Sequence, residues 1–232
     1  MEAIILAGGF GTRLKSLVNE VPKPIAPIGE KPFLAWLIDY ITDQGINRII
    51  ISVGYKKEKI IQFINKNYKD LDIVFSIENE PLGTGGAIAR ALILSQSENI
   101  FVINGDTFCK IKYKEMAFNH NEGIADISMV LKQENETKLR GSAVVSNGRV
   151  LKFIEKGNQG KGLINCGIYY FQKSIFDGYQ LGKIFSFEKD FLQKHISKIS
   201  VNAYLTDEYF VDIGIPNHYL KAQKEIKSLF SD

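Results

Sequence analysis

The chain has 232 residues, with an apolar share of 45% and a charged share of 24%. That is the balance of a soluble globular protein, and a chain of this length buries a core without disulfides or structural metal. A net charge of +3 carried by scattered basic residues gives no argument for nucleic acid. Cys109 and Cys166 form no CxxC pair, which excludes a zinc site of recognisable spacing and fits a reducing compartment.

Elements alternate through the first half. Strands are expected at Ala3–Leu6, Ile49–Val53, Ile73–Ile77 and Ile100–Ile103, and helices at Phe33–Gln44, Glu58–Asn67 and Gly86–Ser95. Leu34, Leu37, Ile38 and Ile41 give the first helix one apolar face. This alternation means βαβ units and a parallel sheet. The second half is richer in strands: Ile127–Leu131, Ala143–Val145, Val150–Ile154, Ile164–Phe171 and Val201–Tyr204. Helices around Phe187–His195 and Pro216–Leu229 close the chain. The fold class expected is α/β: a Rossmann-like, mostly parallel mixed sheet flanked by helices. It is expected as one domain over 1–232, in two halves that meet at about 110. Neither a signal peptide nor an apolar run of about 20 residues is visible, so the expectation is a cytoplasmic protein off the membrane.

The first chemical signal is "LAGGFGTRL", residues 6–14, directly after the first strand. It lacks the third glycine of a dinucleotide fingerprint and the lysine of a P-loop. The reading left is another phosphate loop, in which backbone N–H groups face an anion and Arg13 adds a forked cation. In "VPKPIAP", two prolines stiffen the loop that carries Lys23, which suits a second cation for the same polyanion. "ENEPLGTGGA" places another glycine turn at a strand end, where α/β sheets bind ligands; without a cation it suits a base or a sugar. Asp106 in "VINGD" and Asp212 in "FVDIGIP" are candidate ligands for a hard cation, and each residue type also serves in turns. "FIEKG" offers Glu155 as a hydroxyl acceptor and Lys156 as a phosphate cation.

Taken together and in order, "LAGGFGTRL", "PKP", "LGTGGA", "NGD", "FIEK", "NCGIY" and "DIGIP" resemble the sugar-1-phosphate nucleotidylyltransferase family from Met1 to about Leu220. Within it, the short form with "PKPIAPIGEKPFL", "EPLGTGGA" and "NCGIY" is similar to the D-glycero-D-manno-heptose 1-phosphate guanylyltransferases. Mannose-1-phosphate guanylyltransferases and short uridylyl- or cytidylyltransferases share much of the pattern. The resemblance implies that Leu6, Ala7, Gly8, Gly9, Gly11, Thr12, Arg13, Gly83 and Thr84 hold a nucleoside triphosphate. Arg13 would grip the β- and γ-phosphates, and Lys23 the α-phosphate and incoming sugar phosphate. It further implies that Asp106 and Asp212 hold Mg²⁺, and that Gly141, Glu155, Lys156 and Asn165 hold the sugar 1-phosphate. Glu80 is the expected guanine reader, since one carboxylate accepts from both N1–H and the N2 amino group; Glu78, two residues earlier and on the same face if the strand continues, competes for that role. The partners are then GTP and a sugar 1-phosphate, with no nucleic acid and no membrane, and a homo-oligomer stays open.

A nucleotide-sugar-dependent glycosyltransferase is the rival class. It usually needs two aspartates flanking one residue, whereas Asn104-Gly105-Asp106 has one, and it leaves Arg13 and Lys23 without a role. A non-catalytic nucleotide-binding relative is expected to have lost one of Arg13, Lys23, Asp106 and Asp212, all of which are present.

Overall fold

The computed structural model describes residues 1–9, 18, 21–138, 140–155, 157 and 159–230. In chain order, β1 (Glu2–Leu6) leads through a 3₁₀ turn at Lys23–Ile25 to the short pair β2 (Pro27–Ile28) and β3 (Lys31–Pro32). Then come α1 (Phe33–Asp43), β4 (Arg48–Val53), α2 (Lys57–Asn67), β5 (Asp72–Ile77), α3 (Gly83–Leu92), β6 (Asn99–Asn104) and β7 (Thr107–Cys109). The second half holds α4 (Tyr113–Glu122), β8 (Ile127–Glu134), β9 (Ser142–Ser146), β10 (Arg149–Ile154) and β11 (Gly162–Gln172). A π-helical segment, Phe187–Leu192, runs into α5 (Gln193–His195), and β12 (Val201–Thr206), β13 (Phe210–Asp212) and α6 (Pro216–Glu225) follow.

One nine-stranded sheet has the order β5-β4-β1-β6-β11-β8-β12-β10-β9. β5, β4, β1 and β6 are parallel, as the alternation of strands and helices requires; only β11 and β10 run against the rest. Strand alternation splits the core into two layers. Ala3, Ile5, Ile49, Ile51, Phe101 and Ile103 pack on one face with α1, α2, α4 and α6. Ile4, Ile50, Ile100 and Val102 pack on the other with α3 and the aromatic rings of the π segment. Each large side chain so buried stabilises by about 1.5–3 kcal/mol.

Three differences from the sequence expectation have physical causes. α3 starts at Gly83 rather than Gly86, because the glycines pack against the Lys183–Phe185 segment instead of ending a loop. α4 was not expected: its buried positions Tyr113, Met116, Ala117 and His120 follow helical spacing, but Ala and His are weak apolar markers. The helix expected over Phe187–His195 is π-helical in its first part, which brings Phe187, Phe191 and Leu192 to one buried face.

Candidate active site

The carboxyl ends of β1, β5 and β6 open onto a cleft of about 360 Å³. Leu6, Ala7, Gly8 and Gly9 form one wall, Pro81–Thr84 another, and Asn104, Asp106 and Lys23 close one end. Parallel strand ends are where an α/β sheet leaves room for a ligand. Gly105 fits there because a Cβ on it would stand 2.7 Å from the Leu6 carbonyl oxygen.

Lys23 is carried into the cleft by the proline-flanked turn. Its Nζ donates to Asp106 Oδ2 at 2.7 Å, and its side chain is only 10% exposed. Asp212 reaches the same place through a different device. β7 and β13 pair antiparallel with Thr107 opposite Asp212, so the residue next to Thr107 meets the end of β13. The Ile213 N–H donates to the Asp106 carbonyl at 3.0 Å and fixes the register. A Cβ built on Gly214 would lie 2.7 Å from Asp212 Oδ1, 2.8 Å from Lys23 Nζ and 3.7 Å from Asp106 Oδ2. One cation and two carboxylates thus surround a single point that only glycine leaves open.

Burial, and then the charge of Asp106, push the Asp212 carboxyl above its ordinary range. The Gly214 N–H, Lys23 and Arg140 pull it back down. A buried carboxylate held against a second carboxylate fits a hard divalent cation, whose charge would offset that repulsion. Among the described residues no group of three or more His, Cys, Asp and Glu side chains converges. The donor set therefore suits an ion whose remaining ligands are substrate phosphates and water.

The "LGTGGA" turn lines the cleft through Gly83 and Thr84, but most of its glycines serve packing. A Cβ on Gly83 would stand 2.5 Å from the Phe185 carbonyl oxygen; on Gly86 it would stand 2.5 Å from that of Lys183, and on Gly85 it would run into the Phe185 ring. The Thr84 hydroxyl is also engaged, donating to Glu188 Oε2 at 2.6 Å and accepting from the Phe187 N–H at 2.9 Å.

Of the two candidate base readers, the structure puts Glu78 in the cleft wall, whereas Glu80 is exposed and ion-paired with Lys183. The cause is the β5 ladder. The Glu78 N–H still donates to Val53 at 2.8 Å, which holds Glu78 in strand geometry two residues beyond buried Ser76. Glu78 Oε1 accepts from Ser52 Oγ at 2.9 Å, its Oε2 accepts from the Leu82 N–H at 3.3 Å, and Gly8 lacks the Cβ that would collide with it. Glu80 lies past the ladder in the loop.

Gly141, Glu155 and Asn165 come together beside the cleft. The Asn165 N–H donates to the Gly141 carbonyl at 2.8 Å, and the Glu155 carbonyl lies 3.4 Å from a Cβ on Gly141. The Thr107 hydroxyl donates to the Cys166 carbonyl at 3.2 Å and joins this cluster to the Asp106 loop. Gly11, Thr12, Arg13 and Lys156 lie outside the described residues. Asn104, Gly214, Tyr169 and Glu188 were not singled out in the sequence. The internal glycine of "NCGIY", a bulge signal inside a strand, was the available pointer to Tyr169.

A strand-end cleft that gathers Lys23 beside two carboxylates defines an enzyme that works on phosphate esters. The nucleotidyl transferase family model matches residues 2–228, and the chain belongs to that family. It is 45% identical to the D-glycero-alpha-D-manno-heptose 1-phosphate guanylyltransferase of Aneurinibacillus thermoaerophilus, over 98% of this chain and 99% of that one. It is 43% identical to the protein of the same name from Campylobacter jejuni, over 94% and 97%. Among solved structures it superposes on HddC from Yersinia pseudotuberculosis with a TM-score of 0.86 at 42% identity, covering 97% of this chain and 98% of that one. The same HddC complexed with GMP-PN gives 0.84 at 41% identity, with the same coverage. Among the described residues no helix is long and apolar enough to cross a membrane.

Proposed function

We propose that the chain joins GTP to D-glycero-D-manno-heptose 1-phosphate, releasing pyrophosphate and forming the GDP-sugar. The observation that carries this reading is the convergence of Lys23, Asp106 and Asp212 on one point beside a cleft walled by "LAGG". Near full-length identity to two heptose 1-phosphate guanylyltransferases supports the choice of sugar and base.

The chemistry needs no general base, because the nucleophile is already an anionic oxygen of the sugar 1-phosphate. That oxygen forms a new bond to the α-phosphorus in line with the departing β-phosphate oxygen, and pyrophosphate carries away the electron pair. The difficulty is the mutual repulsion of two polyanions, which positioning and fixed positive charge overcome. In this reading Lys23 sits between the α-phosphate and the incoming phosphate. Arg13 grips the β- and γ-phosphates. Asp106 and Asp212 would hold Mg²⁺, which supplies charge neutralisation at the phosphates when bound. Lys156 receives the sugar phosphate, and Gly141, Glu155 and Asn165 receive the sugar. Glu78 accepts from the guanine N1–H and N2 amino group, and Leu6, Ala7, Gly8 and Gly83 flank base and ribose.

The test is a matrix of ATP, CTP, GTP and UTP against heptose, mannose and glucose 1-phosphates, read as pyrophosphate release. The highest kcat/KM is expected for GTP with the heptose. A higher value for another pair would reassign the substrates, and no release with any pair would refute the reading.

A further inference from the structure

Between Asn165 and Tyr169 strand β11 bulges. Asn165 stands opposite Leu131 and Tyr169 opposite Met129, so the β11 interval is longer than its partner's. Gly167 sits inside the bulge at φ +73°, where a Cβ would strike the Asn104 side chain. Across the bulge a four-residue step on β11 spans only two residues of β8, and Asn165 Nδ2 donates to the Tyr169 hydroxyl at 2.5 Å. The Tyr169 hydroxyl in turn lies 3.2 Å from Glu188 Oε1. Glu188 Oε2 accepts from Thr84 Oγ1 at 2.6 Å and from Ser186 Oγ at 3.2 Å. Ser186 caps the π segment that carries Glu188, accepting from the Lys189 N–H at 3.1 Å.

The polarity of this chain is fixed from both ends. A carboxylate only accepts, so Tyr169 must donate to Glu188. Its oxygen is then left to accept, so the group of Asn165 that faces it must be the amino group. At the other end the Gly167 N–H can only donate, and Asn165 Oδ1 accepts from it at 3.0 Å. One N–H and one oxygen lone pair of the Asn165 amide carry no other bond among the described residues. A donor and an acceptor side by side match a sugar hydroxyl, which needs one of each.

We propose that Glu188 is a positioning residue for the sugar: acting through the buried Tyr169 hydroxyl, and together with the Gly167 N–H, it holds the way round that the Asn165 amide faces the sugar hydroxyls. This rests on the reading that Asn165 receives the sugar 1-phosphate. Burial, followed by the Glu188 charge, raises the Tyr169 phenol far above its ordinary range, so it stays a donor at every working pH.

Glu188→Gln isolates the effect. The glutamine keeps an oxygen towards Thr84 and Ser186 but turns an amino group on Tyr169. The Tyr169 proton must then either face the Asn165 amino group or force the amide to flip and abandon Gly167. The expected result is a rise of about tenfold in KM for the heptose 1-phosphate, the typical worth of one hydrogen bond, with KM for GTP within about twofold. Tyr169→Phe removes the relay and should do the same, and the double variant should be no worse than the poorer single one. Should Glu188→Gln not fold, Tyr169→Phe, which keeps the buried ring, still gives the readout. The proposal is overturned by an unchanged sugar KM in either folded variant, by an equal rise in both KM values, or by multiplying effects in the double variant. A wild type that converts no sugar 1-phosphate would instead overturn the functional reading, and the proposal with it.

Discussion

Lys23 Nζ lies 2.7 Å from Asp106 Oδ2, a contact between residues 83 positions apart, and Asp212 faces the same point from the end of β13. In the proposed reaction Lys23 spends one N–H on Asp106 and offers its remaining donors to phosphate. Lys23→Ala should therefore lower kcat by about 10²–10³, the usual cost of one preorganised charge-stabilising group. Circular dichroism should show the fold intact, because Lys23 belongs to neither core layer. Near-normal turnover in the folded variant would remove Lys23 from the mechanism.

Asp106→Asn and Asp212→Asn keep shape but remove the anions proposed to hold the cation. Each should raise the Mg²⁺ concentration needed for half-maximal turnover by about tenfold or more, measured by titrating MgCl₂ at saturating substrates. Wild-type dependence in either variant would make that aspartate a turn residue only.

Gly214→Ala places a methyl group where Asp212, Lys23 and Asp106 meet, 2.7 Å from one carboxylate oxygen and 2.8 Å from the ammonium. Turnover should fall at least about tenfold, because a misplacement of about an ångström is enough to disturb near-attack geometry. The comparison is kcat against melting temperature, and a variant that melts early yet turns over normally would contradict the placement.

Most of the sheet was legible in the sequence because β1, β4, β5 and β6 are short apolar runs separated by amphipathic helices, and periodicity reports both. The two-strand device that delivers Asp212 was not, because β7 and β13 are only three residues each and their pairing joins distant segments. Lys23, Asp106 and Asp212 could be named from their flanking prolines and glycines, but nothing local said that they meet. Glu78 and Glu80 share a strand alternation, so only the length of the β5 ladder separates them. Glu188 left no signal at all: its role is made of bonds to Thr84 and Tyr169, far away in sequence.

That separation gives a prediction about the base. A site built on paired hydrogen bonds rejects ligands that lack them by roughly 10⁴. Glu78→Gln should cost most of the preference for GTP over UTP, measured as the ratio of their dissociation constants. Glu80→Gln breaks the ion pair with Lys183 and should keep the ratio within about threefold. The opposite pattern would return the reading of the base to Glu80.

His120 gives a pH dependence outside the cleft. It is buried, with Nδ1 2.9 Å from Ser128 Oγ and its ring edge-on to Tyr170. Burial lowers its pKa below the ordinary value, against an opposing pull from Asp126. The unfolded chain then binds this proton more readily than the native protein. The stability it contributes is present above about pH 6.5 and is lost as pH falls towards the depressed native value. Urea midpoints between pH 7.5 and 5 should drop, and His120→Gln should flatten that part of the curve. An unchanged slope in the variant would assign the loss to other groups.

The most direct test of the central claim is the product balance of one reaction: GTP and Mg²⁺ with the wild-type protein, with and without D-glycero-D-manno-heptose 1-phosphate, followed by ³¹P NMR. The account predicts one pyrophosphate for each GDP-heptose formed and no GTP consumption without the sugar. Pyrophosphate without the sugar, orthophosphate as the released product, or GTP left intact in the presence of both substrates would contradict it.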